Sequence, residues 1–444
     1  MPSKYYVETY GCQMNVADSE LVAGLLNDNG YTRTSRLDQA DIILLNTCAI
    51  REKAEETVHN RLDQLAHLKR EDPSRLIGVL GCMAKNLADS LLESRPYVDL
   101  ILGPDSYRRL PEMIKMRKAA QSHLVDTSLS RVEVYDELFP SRSDGVNAWI
   151  SIMRGCDKFC TFCIVPFTRG RERSRSVASI VDEAHEAVSS GFREVTLLGQ
   201  NVNSFLHDGQ DFANLLEHVA QVKGLERIRY TSPHPSDIDE KLLSVMARNN
   251  NICNSIHLPL QAGANRILTR MNRTYTSEQF LSLVGMIREY LPECSLSTDV
   301  IVGFPGETEE EFQATLEVVK AVKFDSAFMF KYSLRPGTKA AEYSDQVEET
   351  AKQDRLERLI GMQKGISLEL NREYIGKRVE VLVEKESKKS SAQWAGRTKS
   401  NKWVVFNKMN TNINDLVTVE IDNCHGVALQ GHLVGNLEEY NANA

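Results

Sequence analysis

The chain has few aromatic residues, no basic net charge and no long apolar run, and each shortage excludes a class of protein. Aromatic residues make up 7% of its 444 residues. The formal net charge of −8 excludes an overall basic field for nucleic-acid binding. No apolar stretch approaches the ~20 residues that cross a bilayer. The first residues lack the basic and apolar segments of a signal peptide, so we expect a cytoplasmic protein without membrane contact.

A fourth cysteine is lacking beside a close group of three. The stretch RGCDKFCTFC places Cys156, Cys160 and Cys163 at C-x3-C-x2-C spacing. Clustered cysteines in a reducing compartment more often hold metal than form disulfides, and a structural zinc site needs a fourth ligand. Three thiolates in a loop instead suit three irons of a four-iron cluster, whose fourth iron stays open to a small molecule.

Three further cysteines each follow a strand-like run near the N-terminus. The runs KYYVETYGC, DIILLNTC and RLIGVLGC end at Cys12, Cys48 and Cys82, and helical segments follow each of them. Strands alternating with helices predict a doubly wound parallel sheet, whose ligands sit at the carboxyl ends of the strands. One such cysteine alone is typical of a buried small side chain. Three matched positions favour a second three-cysteine metal centre.

Six more strand-like runs follow Ala148, separated by amphipathic helical segments. Six βα repeats predict a partial (β/α)6 barrel, in which chemistry occurs at the carboxyl ends of the strands. Polar and glycine residues at those ends are candidates for cofactor contact: Gln200, Asn201, Asp299, Gly303, Pro305 and Gly306.

The last part of the chain predicts a small antiparallel β-barrel with alternating strands. Between residues 375 and 435 it carries nine Lys or Arg against six Asp or Glu, a local excess of three positive charges. Three aromatic residues there either stack on nucleotides or fill the core: Trp394, Trp403 and Phe406. Four arginines behind the cysteine loop either contact phosphate or stay solvated: Arg169, Arg171, Arg173 and Arg175.

The cysteine motifs resemble those of a known family. CDKFCTFC resembles the radical S-adenosylmethionine superfamily, and GCQMN (11–15), NTCAIREKAEE (46–56) and GCMAK (81–85) resemble its methylthiotransferases. The resemblance covers nearly the whole chain and implies two [4Fe-4S] clusters, one on each cysteine triplet, with S-adenosyl-L-methionine on the open iron of the second. It implies three domains: a methylthiotransferase domain (1–120), a radical core (140–373) and a TRAM-like RNA-binding barrel (374–438).

The nearest branch of that family implies a tRNA-modifying transferase. Its members methylthiolate C2 of N6-isopentenyladenosine next to the anticodon, using one S-adenosylmethionine as methyl donor and another as source of a 5′-deoxyadenosyl radical. The implied partners are the tRNA anticodon stem-loop and an electron donor such as flavodoxin or ferredoxin, with the enzyme a monomer. Sister branches act on threonylcarbamoyl-adenosine or a ribosomal protein. A non-catalytic RNA-binding protein with structural zinc is the alternative from another class.

Several reactive residue types receive no function from the sequence. Three isolated cysteines are expected to be core thiols: Cys253, Cys294 and Cys424. His234 and His257 lie at or near predicted strand ends and either act there or pack as hydrogen-bonded residues.

Overall fold

The computed structural model of the chain describes residues 2–48, 52–120, 122–142, 145–426 and 428–436. The N-terminal part is a six-stranded sheet in the order β2-β1-β3-β4-β5-β6, and all its neighbouring strands are parallel. Its strands are β1 (Lys4–Thr9), β2 (Thr32–Arg33), β3 (Ile42–Thr47), β4 (Leu76–Gly81), β5 (Leu100–Leu102) and β6 (Leu124–Asp126).

Helices cover both faces of this sheet. Every residue of β3 and β4 is buried, as expected for central strands of a parallel sheet. One apolar cluster joins the first and fourth helices to one face, and another joins the second and third to the other face. The prediction of a doubly wound parallel sheet is therefore confirmed. The helices are α1 (Gln13–Asp28), α2 (Glu52–Glu71), α3 (Cys82–Ser94) and α4 (Leu110–Ala120).

The central part has six parallel strands in sequence order. They form two three-stranded sheets, which a parallel bridge between Ile228 and Ile252 links. The six parallel strands are confirmed, and their curvature into a partial barrel stays a prediction. The strands are β7 (Asn147–Ser151), β10 (Glu194–Leu198), β13 (Arg227–Tyr230), β14 (Ser255–His257), β15 (Ser295–Val302) and β16 (Ser326–Lys331), with short antiparallel pairs β8 (Met153–Arg154) with β9 (Arg173–Ser174) and β11 (Leu206–His207) with β12 (Gln210–Asp211).

Eight helices accompany these strands. Two of them begin with capping boxes, at Thr276 with Gln279 and at Thr308 with Glu311, which satisfy the first free backbone N–H groups. The second box fixes the chain directly after the Gly303–Glu307 turn. The helices are α5 (Val165–Arg169), α6 (Val177–Ser189), α7 (Phe212–Ala220), α8 (Glu240–Arg248), α9 (Asn265–Arg270), α10 (Ser277–Tyr290), α11 (Glu309–Val322) and α12 (Glu349–Arg372).

The C-terminal part is a closed ring of five strands in the order β17-β18-β19-β21-β20. Four neighbouring pairs are antiparallel, but β19 and β21 run parallel, so the fully antiparallel prediction is wrong for that pair. The strands are β17 (Arg378–Ser387), β18 (Ser390–Arg397), β19 (Trp403–Asn407), β20 (Leu416–His425) and β21 (Ala428–Asn436).

The turn between β18 and β19 packs against the amino ends of the central strands. Arg229 donates to the carbonyl of Thr398 at 2.8 Å, and Ser295 donates to the carbonyl of Ser400 at 2.6 Å. Arg227 is fully buried there and donates to the carbonyl of Arg397. This turn, residues 397–402, closes one end of the central part, and we call it the floor turn.

Candidate metal and cofactor site

The three N-terminal cysteines lie together at the carboxyl edge of their sheet, as predicted. Cys12 is the N-cap of α1, Cys48 directly follows β3, and Cys82 is the first residue of α3. Gly11 has φ +118°, and a Cβ placed there would lie 2.4 Å from Cys48 Cβ. Only glycine therefore lets the chain before Cys12 pass so close to Cys48.

A buried guanidinium supplies positive charge to this group of thiols. Arg169 Nε donates to Cys82 Sγ at 3.2 Å. The pKa of Cys12 is lowered to about 6, first by a hydrogen bond with Cys48 and then by the charge of Arg169, against the effect of burial. Burial raises the pKa of Cys82, and Arg169 opposes that rise. Arg169 thus favours the thiolate form that binds iron.

The second cysteine group is held by the turn after α9. Asn272 Nδ2 donates to the carbonyl of Phe159 at 3.0 Å, and Thr161 Oγ1 donates to the carbonyl of Arg270 at 2.8 Å. Phe159 adopts φ +47°, a left-handed conformation that these contacts hold. The loop that carries the cysteines is therefore fixed in shape by residues more than a hundred positions away.

Charge and close packing also shape this loop. Arg273 Nη1 donates to Cys160 Sγ at 3.4 Å. Burial raises the pKa of Cys156 to about 11 and that of Cys163 to about 12, so these thiols need a cation to bind as thiolates. Gly155 has φ +80°, and a Cβ there would lie 2.0 Å from the carbonyl oxygen of Arg171. No sequence pattern marked Arg273, because it stands alone among ordinary residues.

The two cysteine groups adjoin. Cys82 packs against Ile164, which directly follows Cys163. On the other side, Cys12 packs against an apolar cluster of Met14, Ala17 and Leu198, the last residue of β10. In the described part of the chain no three Cys, His, Asp or Glu side chains could share a single metal ion. A four-iron cube instead takes each thiolate on a different iron, so it does not require three ligands around one ion.

Orphaned polar atoms mark the carboxyl ends of the central strands. Within the described residues, Gln200 Oε1, Gln261 Oε1 and the Tyr332 hydroxyl are buried without a hydrogen-bond partner. Such atoms cost free energy unless a ligand satisfies them. A polar small molecule such as S-adenosylmethionine fits this donor and acceptor set. The predicted contact of Gln200 with the cofactor stays a proposal.

The other predicted cofactor residues have partners within the protein. Asn201 is buried, accepts from the backbone of His234 at 3.2 Å and donates to Asp237 at 3.0 Å. Asp299 Oδ2 lies 3.1 Å from His257 Nε2. Their cofactor contacts stay predictions.

The glycine turn after β15 is needed for packing within the chain. Gly303 and Gly306 have φ +69° and +75°, and a Cβ would meet Lys352 at 2.3 Å and Asp345 at 2.2 Å. Pro305 between them is buried. Whether this turn contacts the cofactor stays a prediction.

Three of the four arginines behind the loop take neither of their predicted roles. Arg169, Arg173 and Arg175 are buried, and they pair with Asp18 at 2.9 Å, with Asp105 at 2.9 Å and with Glu183. They are therefore neither solvated nor free for phosphate. Exposed Arg171 pairs with Asp157. The pairs of Arg169 and Arg173 instead join the N-terminal part to the central part, whereas Arg175 pairs within the central part.

Two of the three aromatic residues fill the core, which is one of the two roles that the sequence left open. Trp394 and Phe406 are buried in the core of the C-terminal ring and so are unavailable to nucleotides. Half-buried Trp403 has Lys385 Nζ 4.2 Å from its ring centre. Among the predicted core thiols, Cys253 and Cys424 are buried and Cys294 is half-buried.

Comparison with known families divides the chain into three matches. The Uncharacterized protein family UPF0004 matches residues 4–103, the Radical SAM superfamily matches residues 150–319, and the TRAM domain matches residues 372–434. Among solved structures, the radical S-adenosylmethionine methyltransferase TsrM from Kitasatospora setae, with cobalamin and a [4Fe-4S] cluster bound, has a TM-score of 0.60 at 16% identity, covering 77% of each chain. That similarity shows the fold alone.

The fold, the C-x3-C-x2-C loop and the family match define a radical S-adenosylmethionine enzyme. Proteins named tRNA-2-methylthio-N(6)-dimethylallyladenosine synthase are 46% identical in Chloroherpeton thalassium, covering 97% of this chain and 96% of that protein, and 47% identical in Porphyromonas gingivalis, covering 97% and 95%. The chain belongs to this family of transferases. Membership confirms the predicted cofactors, S-adenosylmethionine and [4Fe-4S] clusters, and rules out the non-catalytic alternative. No helix among the described residues is long and apolar enough to span a membrane.

Proposed function

We propose that this chain transfers a methylthio group to C2 of N6-dimethylallyladenosine next to the anticodon of tRNA. The observation that carries the proposal is the adjoining of two three-cysteine groups, through Cys82 and Ile164, in a chain that matches synthases of this name from end to end. The relatives reported above do not favour threonylcarbamoyl-adenosine or a ribosomal protein as the target.

Each cysteine triplet is the proposed ligand set of one four-iron cluster. Cys12, Cys48 and Cys82 would hold the auxiliary cluster, and the loop of Cys156, Cys160 and Cys163 would hold the other. When bound, the clusters and S-adenosylmethionine supply the radical and sulfur-transfer chemistry.

The protein holds and shields these ligands. Arg169 and Arg273 each donate to one cysteine of a triplet, at 3.2 and 3.4 Å, and so stabilise the charge that the thiolates carry. Buried Ile164 and Leu198 keep water from the cysteines beside them.

The tRNA is the proposed partner of the C-terminal ring, whose TRAM match and local positive charge support that role. Trp403, with Lys385 over its ring, is the aromatic residue that remains available at that surface. Cytoplasmic location, a monomeric enzyme and a flavodoxin or ferredoxin as electron donor remain expectations from the sequence.

A substrate assay tests the reaction. The protein is reconstituted anaerobically with iron and sulfide, and S-adenosylmethionine, reductant and two anticodon stem-loops are added, one isopentenylated and one unmodified. We expect mass spectrometry to show a methylthio gain on the isopentenylated adenosine alone. Formation of 5′-deoxyadenosine with neither RNA changed would overturn the substrate and leave the radical chemistry in place.

Iron content tests the ligand sets separately. Two four-iron clusters predict about eight irons per chain. Cys12→Ala and Cys160→Ala should each lose about half of that iron, because each removes one ligand from a different cluster. Cys294→Ala is the matched control, since this half-buried thiol lies in neither triplet, and it should keep the full content. An equal loss of iron in the control would contradict the assignment.

A further inference from the structure

On β14, β15 and β16 alternate side chains are exposed or half-buried, so these strands carry a face without a close covering. In the parallel register of β15 and β16, Asp299 lies opposite Phe328, and Phe330 lies two residues further along. The intervening residues turn the other way, as Lys331 shows by pairing with Glu349 of α12. We call the face that carries Asp299, Phe328 and Phe330 the inner face of the central strands. It comprises Glu194, Leu198, His257, Ser295, Ser297, Asp299, Ile301, Phe328 and Phe330.

The floor turn contacts inner-face residues of both three-stranded sheets. Arg397 Nη2 lies 2.8 Å from Glu194 Oε1 in β10. Ser295 Oγ in β15 donates to the carbonyl of Ser400 at 2.6 Å. Both sheets of the central part therefore contact the same turn of the C-terminal ring.

The open part of the inner face approaches the carboxyl end of β16. Phe330 lies two residues before Tyr332, whose buried hydroxyl has no hydrogen-bond partner among the described residues. Phe328 and Phe330 therefore lie on the strand that leads to one of the orphaned polar atoms of the candidate cofactor site.

Two phenylalanines of the inner face are exposed. Phe328 is 55% exposed and Phe330 is 40% exposed. The interior of a complete βα barrel is normally filled by side chains, so two open rings on an inner face mean room for an apolar group.

A polar pair stands beside these rings. His257 Nδ1 lies 3.0 Å from Ser297 Oγ, and its Nε2 lies 3.1 Å from Asp299 Oδ2. A hydroxyl that donates to Nδ1 leaves the proton on Nε2, the ring nitrogen nearest the carboxylate. The His257 ring lies 5.9 Å from that of Phe328. The other oxygen of Asp299 accepts no hydrogen bond from the described part of the chain, and it is free to accept one from a ligand.

We propose that this part of the inner face recognises the N6-substituted adenine, with Phe328 and Phe330 against the dimethylallyl group and Asp299 accepting from the N6–H. The inference rests on the proposed function and assigns its specificity. A secondary amine next to a branched five-carbon group requires one acceptor beside an apolar surface, and the two rings and the carboxylate supply both. His257 is a positioning residue, because it acts by orienting Asp299.

The test is a comparison of two affinities in the reconstituted holoenzyme. Binding of isopentenylated and unmodified anticodon stem-loops is measured by fluorescence anisotropy for wild type, Phe328→Ala and Phe330→Ala. We expect each variant to weaken binding of the isopentenylated RNA about tenfold or more, since loss of an apolar contact costs that much, and to leave the unmodified RNA unchanged. Phe328→Leu should restore most of the preference because it keeps an apolar side chain.

Phe139→Ala is the matched control, since Phe139 is 50% exposed but precedes β7 and lies outside the inner face. Asp299→Asn should raise KM for the isopentenylated RNA without raising KM for S-adenosylmethionine. A raised KM for S-adenosylmethionine alone would mean that Asp299 contacts the cofactor, and it would overturn the role proposed for Asp299.

The two proposals fail differently. A wild-type preference that survives in Phe328→Ala and Phe330→Ala would overturn the inference and leave the proposed function standing. A wild type that neither prefers nor modifies the isopentenylated RNA would overturn both.

Discussion

Replacing Asp18 by asparagine should destabilise the junction between the N-terminal sheet and the central part. The Asp18 carboxylate is fully buried, and it pairs with Arg154 and Arg169, whose side chains are 2% and 4% exposed. The amide keeps the shape of the side chain but leaves two buried guanidiniums without their counter-charge. Removing one partner of a buried ion pair costs about 3–5 kcal/mol. Because Asp18→Asn leaves two guanidiniums without a counter-charge, we expect its cost to lie at the upper end of that range.

Urea unfolding followed by tryptophan fluorescence measures this loss. Trp149 packs with Met14 and Ala17 of α1, so its emission reports on the junction. For an m-value of about 2 kcal/mol/M, the midpoint should fall by roughly 1.5–2.5 M. Asp38→Asn is the matched control, because its pair with Arg36 is 64% exposed on both sides and should show no measurable change.

The same pair gives an expected pH dependence. Burial alone would raise the pKa of Asp18, but the charges of Arg154 and Arg169 lower it below its ordinary value. A depressed pKa in the folded protein stabilises it above the unfolded pKa of about 3.9, and this stabilisation is lost as pH falls through the folded value. The difference between wild type and Asp18→Asn should therefore shrink in acid. A midpoint for Asp18→Asn equal to that of Asp38→Asn at neutral pH would refute the role of the buried pair.

Two glycine substitutions should each disturb one cysteine group. Gly11→Ala should lose about half of the iron, because its Cβ would lie 2.4 Å from Cys48 Cβ, whereas Gly30→Ala, also at positive φ but with nothing within 4 Å, should keep it. Gly155→Ala should abolish 5′-deoxyadenosine formation, since its Cβ would lie 2.0 Å from a carbonyl oxygen, and Gly191→Ala in open space is its control. The measurements are iron content for Gly11→Ala and Gly30→Ala, and 5′-deoxyadenosine formation for Gly155→Ala and Gly191→Ala. A variant that behaved like its control would contradict the corresponding expectation.

Local pattern predicted the strand-end cysteines because strand, cysteine and helix follow one another within a few residues. Cys48 and Cys82 stand directly after fully buried strands, and a periodic apolar run makes that position visible in the sequence. The parallel order of the central strands could be predicted for the same reason.

Long-range partners could not be predicted in this way. Arg169 reads as a solvated arginine until the fold brings Asp18 to it from 151 positions away. Arg273 reaches Cys160 from 113 positions away. Trp394 and Phe406 lie on strands whose inward face is set by closure of the ring, and alternation alone leaves that face open.

The floor turn makes the C-terminal ring a structural part of the catalytic core. Arg227 is fully buried and Arg229 is nearly so, and both donate to carbonyl groups of the turn. Deleting the ring would remove these carbonyl acceptors, would leave Arg229 with Glu194 as its partner, and would open the lower end of the core to water. The ring is therefore part of the catalytic core, and we expect a truncated enzyme to lose 5′-deoxyadenosine formation as well as the tRNA binding proposed for the ring.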